Sequence, residues 1–264
     1  MVGTTFDERF VEVGNLRVRY LEAGAGTPLV VLHGAGGLRV SGAHHLLAAR
    51  RRVILVEIPG FGASALDHGA ASLRELAQTI ASATERLRLG RFDLMGNSFG
   101  GKLALWLAVE RPELLCGLVL VAPAAIRPEG RPPLPDDPQE LHQLLFAHPD
   151  RQPMAPPLDA EVAIRQRELV ARLIGPSREA ELEARLVALE VPVLVLFGTQ
   201  DRVVPPEMGR LYPALIPRCH LVFVYDAGHL PDAERPQAVA TLVDDFLERH
   251  ESFLVRRRSG LVHP

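Results

Sequence analysis

The chain has 264 residues, a formal net charge of −3 and a hydrophobic fraction of 47%. This length suits one large α/β domain with a full core, and the charge balance argues against nucleic-acid or membrane binding. No run reaches about 18 apolar residues and the N-terminus, Met1-Val2-Gly3-Thr4-Thr5, has no basic or apolar leader region, so a cytoplasmic protein is expected.

In chain order, residues 10–13 and 16–22 read as a hairpin around Gly14-Asn15, a two-residue turn signal. Continuous apolar runs follow at 29–32, 53–58, 92–95, 118–121, 191–197 and 221–225. Such runs suit parallel strands buried on both faces. Between them lie helical patterns. Ser72-Leu73-Arg74-Glu75 is a capping box, followed by Leu76, Ile80 and Leu87 at helical spacing and by Gly90 as a stop. Residues 102–110 carry Leu103 and Leu107 on one face and end at Arg111-Pro112, and residues 237–249 align Val239, Leu242, Val243 and Phe246. An antiparallel start and repeated strand–helix units predict a mostly parallel sheet covered on both faces.

Residues 123–188 break this rhythm. Ten of the 22 prolines fall between Pro123 and Pro157, which excludes a regular strand or one long helix there. Helical patches at 138–147, 159–174 and 177–189 follow, with Leu169, Leu173, Leu182, Leu186 and Leu189 at apolar spacing. The segment reads as a small cap inserted between two sheet strands, with a core at 1–122 and 189–264. The two cysteines, Cys116 and Cys219, each precede a predicted strand, and unpaired thiols suit a reducing compartment.

One motif carries chemistry. In Phe92-Asp93-Leu94-Met95-Gly96-Asn97-Ser98-Phe99-Gly100-Gly101 an apolar strand meets the pattern G-x-S-x-G and then a helix. This is the nucleophile elbow, a strained turn that exposes one hydroxyl at the top of a sheet. Side chains at 96 and 100 would collide across the turn, and the helix N-terminus behind Ser98 favours negative charge.

With this elbow in its strand–helix setting, the chain resembles the α/β-hydrolase superfamily along nearly its whole length. The resemblance implies an eight-stranded, mostly parallel sheet with helices on both faces and a small helical cap. It also implies a triad in the order Ser, Asp, His. Asp201, in Gly198-Thr199-Gln200-Asp201-Arg202-Val203-Val204-Pro205, matches the family's acid loop, and His229, in Gly228-His229-Leu230-Pro231 before Glu234-Arg235-Pro236, matches the base loop. The oxyanion donors expected are the amides of Phe99 and of Ala35, in His33-Gly34-Ala35-Gly36-Gly37, with Gly36 if the register differs by one. His33 reads as a structural loop residue. The loop lacks the spacing and lysine of a nucleotide site.

The expected activity is hydrolysis of a small or medium carboxylic ester through an acyl-enzyme. The alternative is hydrolysis of a carbon–carbon bond in a ring meta-cleavage product, a vinylogous diketo acid, whose hydrolases have an elbow similar to 96–105. Other serine-hydrolase chemistry (amide, lactone, thioester, perhydrolysis) and a ligand receptor with residual activity are the remaining readings. The carbon–carbon hydrolases carry H-G-x-G-P-G and a tryptophan after the catalytic histidine, where this chain has residues 33–37 and Leu230. Their cap often supplies an arginine, for which Arg165 and Arg167 are the candidates. Leu141, Leu144, Leu145, Phe146 and Met154 suggest an apolar ceiling over Ser98, so the pocket is expected to involve Gly36, Phe146, Met154, Arg165 and Leu230. Glu57, in Glu57-Ile58-Pro59-Gly60-Phe61-Gly62-Ala63-Ser64, replaces the family's usual aspartate in a loop-supporting role.

No cofactor or metal is expected: His44-His45, His142 and His148 lack metal-ligand spacing. Trp106 reads as core packing and Arg256-Arg257-Arg258 as a solvated tail. The two cysteines, expected about 9–10 Å apart across one intervening strand, are too distant for a disulfide. The expected partner is a small-molecule ester or ketone, with no nucleic acid or membrane, and the protein is expected as a monomer or homodimer.

Overall fold

The N-terminal alternation folds as the expected hairpin, β1 (Asp7–Val13) and β2 (Leu16–Ala23), paired antiparallel from Asp7↔Glu22 to Val13↔Leu16. Gly14 makes its turn at φ +60°, a conformation that glycine adopts without a Cβ penalty. The structure, a computed structural model, describes residues 4–130 and 132–253. The first three residues and the Arg256-Arg257-Arg258 run lie outside the described residues.

The six apolar runs form β3 (Pro28–Leu32), β4 (Arg52–Val56), β5 (Phe92–Asn97), β6 (Leu115–Val121), β7 (Val193–Gly198) and β8 (Cys219–Val224). The eight strands make one sheet in the order β1-β2-β4-β3-β5-β6-β7-β8, parallel from β4 onward. Alternate residues feed two cores. Val30, Leu32, Ile54, Val56 and Leu94 face one, and Leu29, Val31, Val53, Leu55 and Met95 face the other. That period of two is the pleat of a sheet buried on both sides.

The first core is covered by α2 (Leu73–Arg86) and α3 (Ser98–Glu110), and Trp106 lies within it at 2% exposure. The second is covered by α1 (Gly42–Ala48) and by α9 (Pro236–Arg249) at the far end of the chain. The capping box at Ser72 and Glu75 forms as expected. Helix α1 has no counterpart in the sequence reading. Its capping box uses His44, whose Nδ1 accepts from Ser41 N at 3.0 Å, where the usual signal is glutamate or glutamine.

Residues 123–188 lie between β6 and β7 and hold α4 (Pro138–Leu145), α5 (Ala160–Leu173) and α6 (Ala180–Leu186). Leu169, Leu173, Leu182 and Leu186 of this segment, and Leu189 directly after it, are at most 5% exposed and join the first core. Each buried leucine is worth roughly 1.5–3 kcal/mol, which explains why the segment is docked and not a free linker. Short helices α7 (Tyr212–Leu215) and α8 (Pro231–Glu234) flank β8. Cys116 and Cys219 are free and lie within β6 and β8, not before them, with β7 between.

Candidate active site

The strand order reverses at β3, whose neighbours are β4 and β5, and ligands in open α/β sheets bind beyond the carboxyl ends of strands at such a point. Leu32 pairs with Gly96 there, so the loop after β3 lies beside the turn after β5. Ser98 occupies that turn at φ +49°, a strained left-handed conformation for a residue with a Cβ, and begins α3. Its neighbours explain the glycines. A Cβ on Gly96 would come within 2.5 Å of Gly100 O, and one on Gly100 within 2.4 Å of both Leu32 O and His33 O. Phe99 follows Ser98 in the first helical turn, where amides have no intrahelical acceptor, and Asn97 provides no side-chain cap.

The acid and base candidates come from the ends of adjacent strands, β7 and β8. Asp201 and His229 are 5% and 2% exposed, and His229 Nδ1 lies 2.8 Å from Asp201 Oδ2. Asp201 Oδ1 accepts from Val203 N at 2.8 Å and Val204 N at 2.9 Å. These bonds leave Oδ2 for the imidazole, so Nδ1 carries the proton and Nε2 is free to act as a base. Among the described residues no hydrogen bond joins Ser98 to His229. Catalytic hydrogen bonds are often long in unliganded sites and tighten in the substrate complex.

The glycine-rich loop after β3 is braced against the elbow. A Cβ on Gly34 would lie 2.7 Å from Asn97 Oδ1 and 3.5 Å from Ser98 Cβ. Gly37 N donates to Gly34 O at 3.2 Å, closing a turn over Ala35 and Gly36, and a Cβ on Gly36 would meet nothing within 4 Å. His33 is built into the loop's base. Its Nε2 accepts from Ile58 N at 3.0 Å and its Nδ1 lies 2.7 Å from Gly34 O, with Phe61 edge-on at 4.7 Å. Burial pushes its pKa down to about 4, so it is neutral at pH 7.

Glu57 supports the neighbouring loop. Its carboxylate accepts from Ala63 N, Ser64 N and Arg19 Nη1 at 2.8–2.9 Å. A Cβ on Gly62 would fall 2.1 Å from Glu57 Oε1, so the longer acid occupies space that only glycine leaves open.

The expected pocket residues divide. Phe146 is 5% exposed, and Leu145 O beside it accepts from His229 N at 2.8 Å, so this segment meets the base loop directly. Leu230 follows the histidine and is half-buried. Met154 is 48% exposed in an irregular stretch, and among the described residues no hydrogen bond or ring contact ties it to Ser98, Asp201 or His229. Arg165 spends its guanidinium on Gly60 O at 3.1 Å and Gly62 O at 2.8 Å, and Arg167 pairs with the exposed Asp136. These bonds tie Arg165 Nε and Nη2 to the loop that carries Gly60 and Gly62, and Arg167 to Asp136.

Several residues of the site's frame are absent from the sequence reading. Gln166, 4% exposed, accepts from Gly62 N at 3.0 Å and lies against Gly37. Lys102, wholly buried in α3, reaches Ile174 O and Glu179 Oε2 at 2.7 Å each, and burial lowers its pKa. Tyr212 OH donates to Pro123 O at 3.0 Å and holds the start of the segment between β6 and β7. Among the described residues no cluster of three or more His, Cys, Asp or Glu could hold a metal, and no helix is long and apolar enough to cross a membrane.

Residues 29–242 match the model of the alpha/beta hydrolase family. The dihydrolipoyllysine-residue acetyltransferase component of the acetoin cleaving system from Pseudomonas putida is 30% identical, over 90% of this chain and 69% of its own length. The 2-hydroxymuconate semialdehyde hydrolase of Pseudomonas sp. strain CF600 is 29% identical, over 90% of this chain and 93% of its own. Among solved structures, a bacterial membrane phospholipase A is similar with a TM-score of 0.77 and 26% identity, over 92% of this chain and 86% of that one.

Proposed function

The chain belongs to the alpha/beta hydrolase family, and within it we propose a serine hydrolase that cleaves the carbon–carbon bond beside a ketone in a ring meta-cleavage product. The observation that carries the hydrolase reading is the buried His229–Asp201 pair at the sheet edge that also bears the strained Ser98. The choice of bond is supported by the semialdehyde hydrolase, similar to this chain over nearly the full length of both.

In this mechanism His229 Nε2 removes the Ser98 proton as the oxygen attacks the ketone carbon, while Asp201 holds the imidazole tautomer. The amides of Ala35 and Phe99 stabilise the oxyanion, one donor being worth about 10²–10³ in rate. Collapse breaks the carbon–carbon bond, and the electron pair enters the conjugated keto acid, which takes its proton from His229. A 2-hydroxy-6-oxo-dienoate meets this requirement as its keto tautomer, the vinylogous diketo acid. The 2-hydroxyl proton moves to the carbon beside the ketone before the attack. That carbon is then sp3, and its electron pair leaves into the 2-oxo acid as a delocalised dienolate. Water, deprotonated by His229, then releases the acyl group and restores Ser98. Residues 123–188 act as the cap over this site, with 1–122 and 189–264 as the core.

A carboxylic ester is the second reading. It is supported by the likeness to the phospholipase and by the bonds of Arg165 to the Gly60 and Gly62 carbonyls, which occupy two of the three nitrogens with which that arginine would meet a substrate carboxylate. The test compares kcat/KM for a 2-hydroxy-6-oxo-dienoate with that for p-nitrophenyl esters of increasing length. The carbon–carbon reading expects the dienoate to be preferred at least tenfold. A preference for esters overturns it in favour of the second reading.

A further inference from the structure

The base loop and the insertion share a set of hydrogen bonds that the proposed chemistry does not use. Glu234, in α8, accepts from Gly228 N at 2.5 Å and from His148 N at 3.0 Å. One carboxylate therefore holds the residue before His229 and a residue of the insertion together. On the other side of the same contact, His229 N donates to Leu145 O at 2.8 Å, and Arg202, next to Asp201, donates to Phe146 O at 2.6 Å. His148 Nε2 lies 2.7 Å from Asp226 Oδ1, and Asp226 also accepts from Gln200 and Arg235. Residues 145–148 are thus bonded to the loops that carry both Asp201 and His229. Gly228 permits this approach, since a Cβ there would fall 2.7 Å from Leu145 O and from Ala147 N.

We propose that Glu234 is a positioning residue that locks the base loop to residues 145–148, so that the placement of His229 depends on the docking of the insertion. The proposal rests on the reading of His229 as the base. Bonds from backbone N–H groups to an ionised carboxylate are charge-assisted and short, which suits a geometric lock. A glutamine at 234 has the same shape but only one acceptor oxygen, so it can satisfy one N–H and must turn its own NH2 toward the other. Displacement of a catalytic group by about 1 Å can cost on the order of 10² in rate, so partial release of the loop has a measurable effect.

The test uses the full-length protein with 15N-labelled histidines, comparing wild type with Glu234→Gln and Glu234→Asp. The readouts are the downfield Nδ1–H resonance of His229, that of His33 as a reporter on the neighbouring loop, and kcat and KM for p-nitrophenyl acetate. In Glu234→Gln the His229 signal moves upfield or broadens while that of His33 stays. The kcat falls about tenfold and KM changes less than about threefold. Glu234→Asp, which keeps the charge but is too short to span both N–H groups, shows the same pattern more weakly, and it decides the matter if the glutamine variant does not fold. An unchanged His229 signal, or equal movement of both histidines, overturns the proposal. Absence of ester turnover in wild type counts against the ester reading, while the His229 resonance still decides the role of Glu234.

Discussion

Lys102 Nζ lies 2.7 Å from Glu179 Oε2, joining the helix that begins at Ser98 to the loop between the last two helices of the insertion. The same ammonium donates to Ile174 O, while a Cβ on Gly175 would sit 3.3 Å from it. A buried cation is tolerated only where its donors are satisfied, and here the carboxylate and carbonyl do so.

Replacing this lysine by methionine keeps much of its volume but leaves Ile174 O without its donor and Glu179 without its cation. Lys102→Met is expected to lower unfolding stability by about 2 kcal/mol, less than a fully buried pair would cost because Glu179 regains water. Urea unfolding at pH 7 measures this, and an unchanged midpoint contradicts it.

The backbone of the elbow leaves even less room. A Cβ on Gly100 would lie 2.4 Å from Leu32 O and His33 O, atoms fixed by the sheet and by the glycine-rich loop. Gly100→Ala is therefore expected to cost about 3 kcal/mol or more and to abolish labelling of Ser98 by a fluorophosphonate. Thermal melting and labelling of one preparation test both.

The acid candidate presents a sharper chemical case. Backbone amides of Val203 and Val204 hold Asp201 Oδ1. In Asp201→Asn the amide oxygen must stay there, which turns the NH2 toward His229 and selects the wrong imidazole tautomer. Turnover is expected to fall by about 10³–10⁴ with little change in KM. Steady-state kinetics at pH 7 measure the split.

His33 makes stability depend on pH in a defined direction. Its folded pKa, about 4, lies below the ordinary histidine value of 6.5 because burial disfavours the cation. Below about pH 6.5 the unfolded chain gains a proton that the native state refuses, so stability falls as pH drops toward 4. The loss from this group reaches on the order of 3 kcal/mol near pH 4. Protonation would also set an Nε2–H against Ile58 N–H. Urea unfolding at pH 7 and pH 4.5 should show a smaller pH-dependent loss in His33→Gln than in wild type, and equal losses contradict the assignment.

Much of this architecture was legible because its signals are local. The Gly14-Asn15 turn, the Ser72–Glu75 cap and the elbow at Ser98 each lie within a few residues, and all form as read. The buried strands were legible for a second reason: both faces are apolar, so each appears as an unbroken run. Helix α1 escaped because histidine completes its capping box. Gln166 escaped as a site residue because its partner Gly62 is 104 residues away in sequence, and the link of Glu234 to His148 spans 86 residues, although its other partner, Gly228, is six residues away. The bracing of Gly60 and Gly62 by Arg165 was not legible because its partners are backbone carbonyls, which carry no mark in a sequence. The bond to be cut was the least legible feature, since a serine, an acid and a histidine base would serve ester and carbon–carbon hydrolysis alike.

Ser98→Ala tests the assignment of Ser98 as the nucleophile. Wild type and variant would be assayed side by side on the 2-hydroxy-6-oxo-dienoate and on p-nitrophenyl butyrate, with a melting curve to verify folding. Whatever turnover wild type shows on either substrate is expected to fall by at least about 10³-fold in the variant. Equal turnover by both proteins would contradict it.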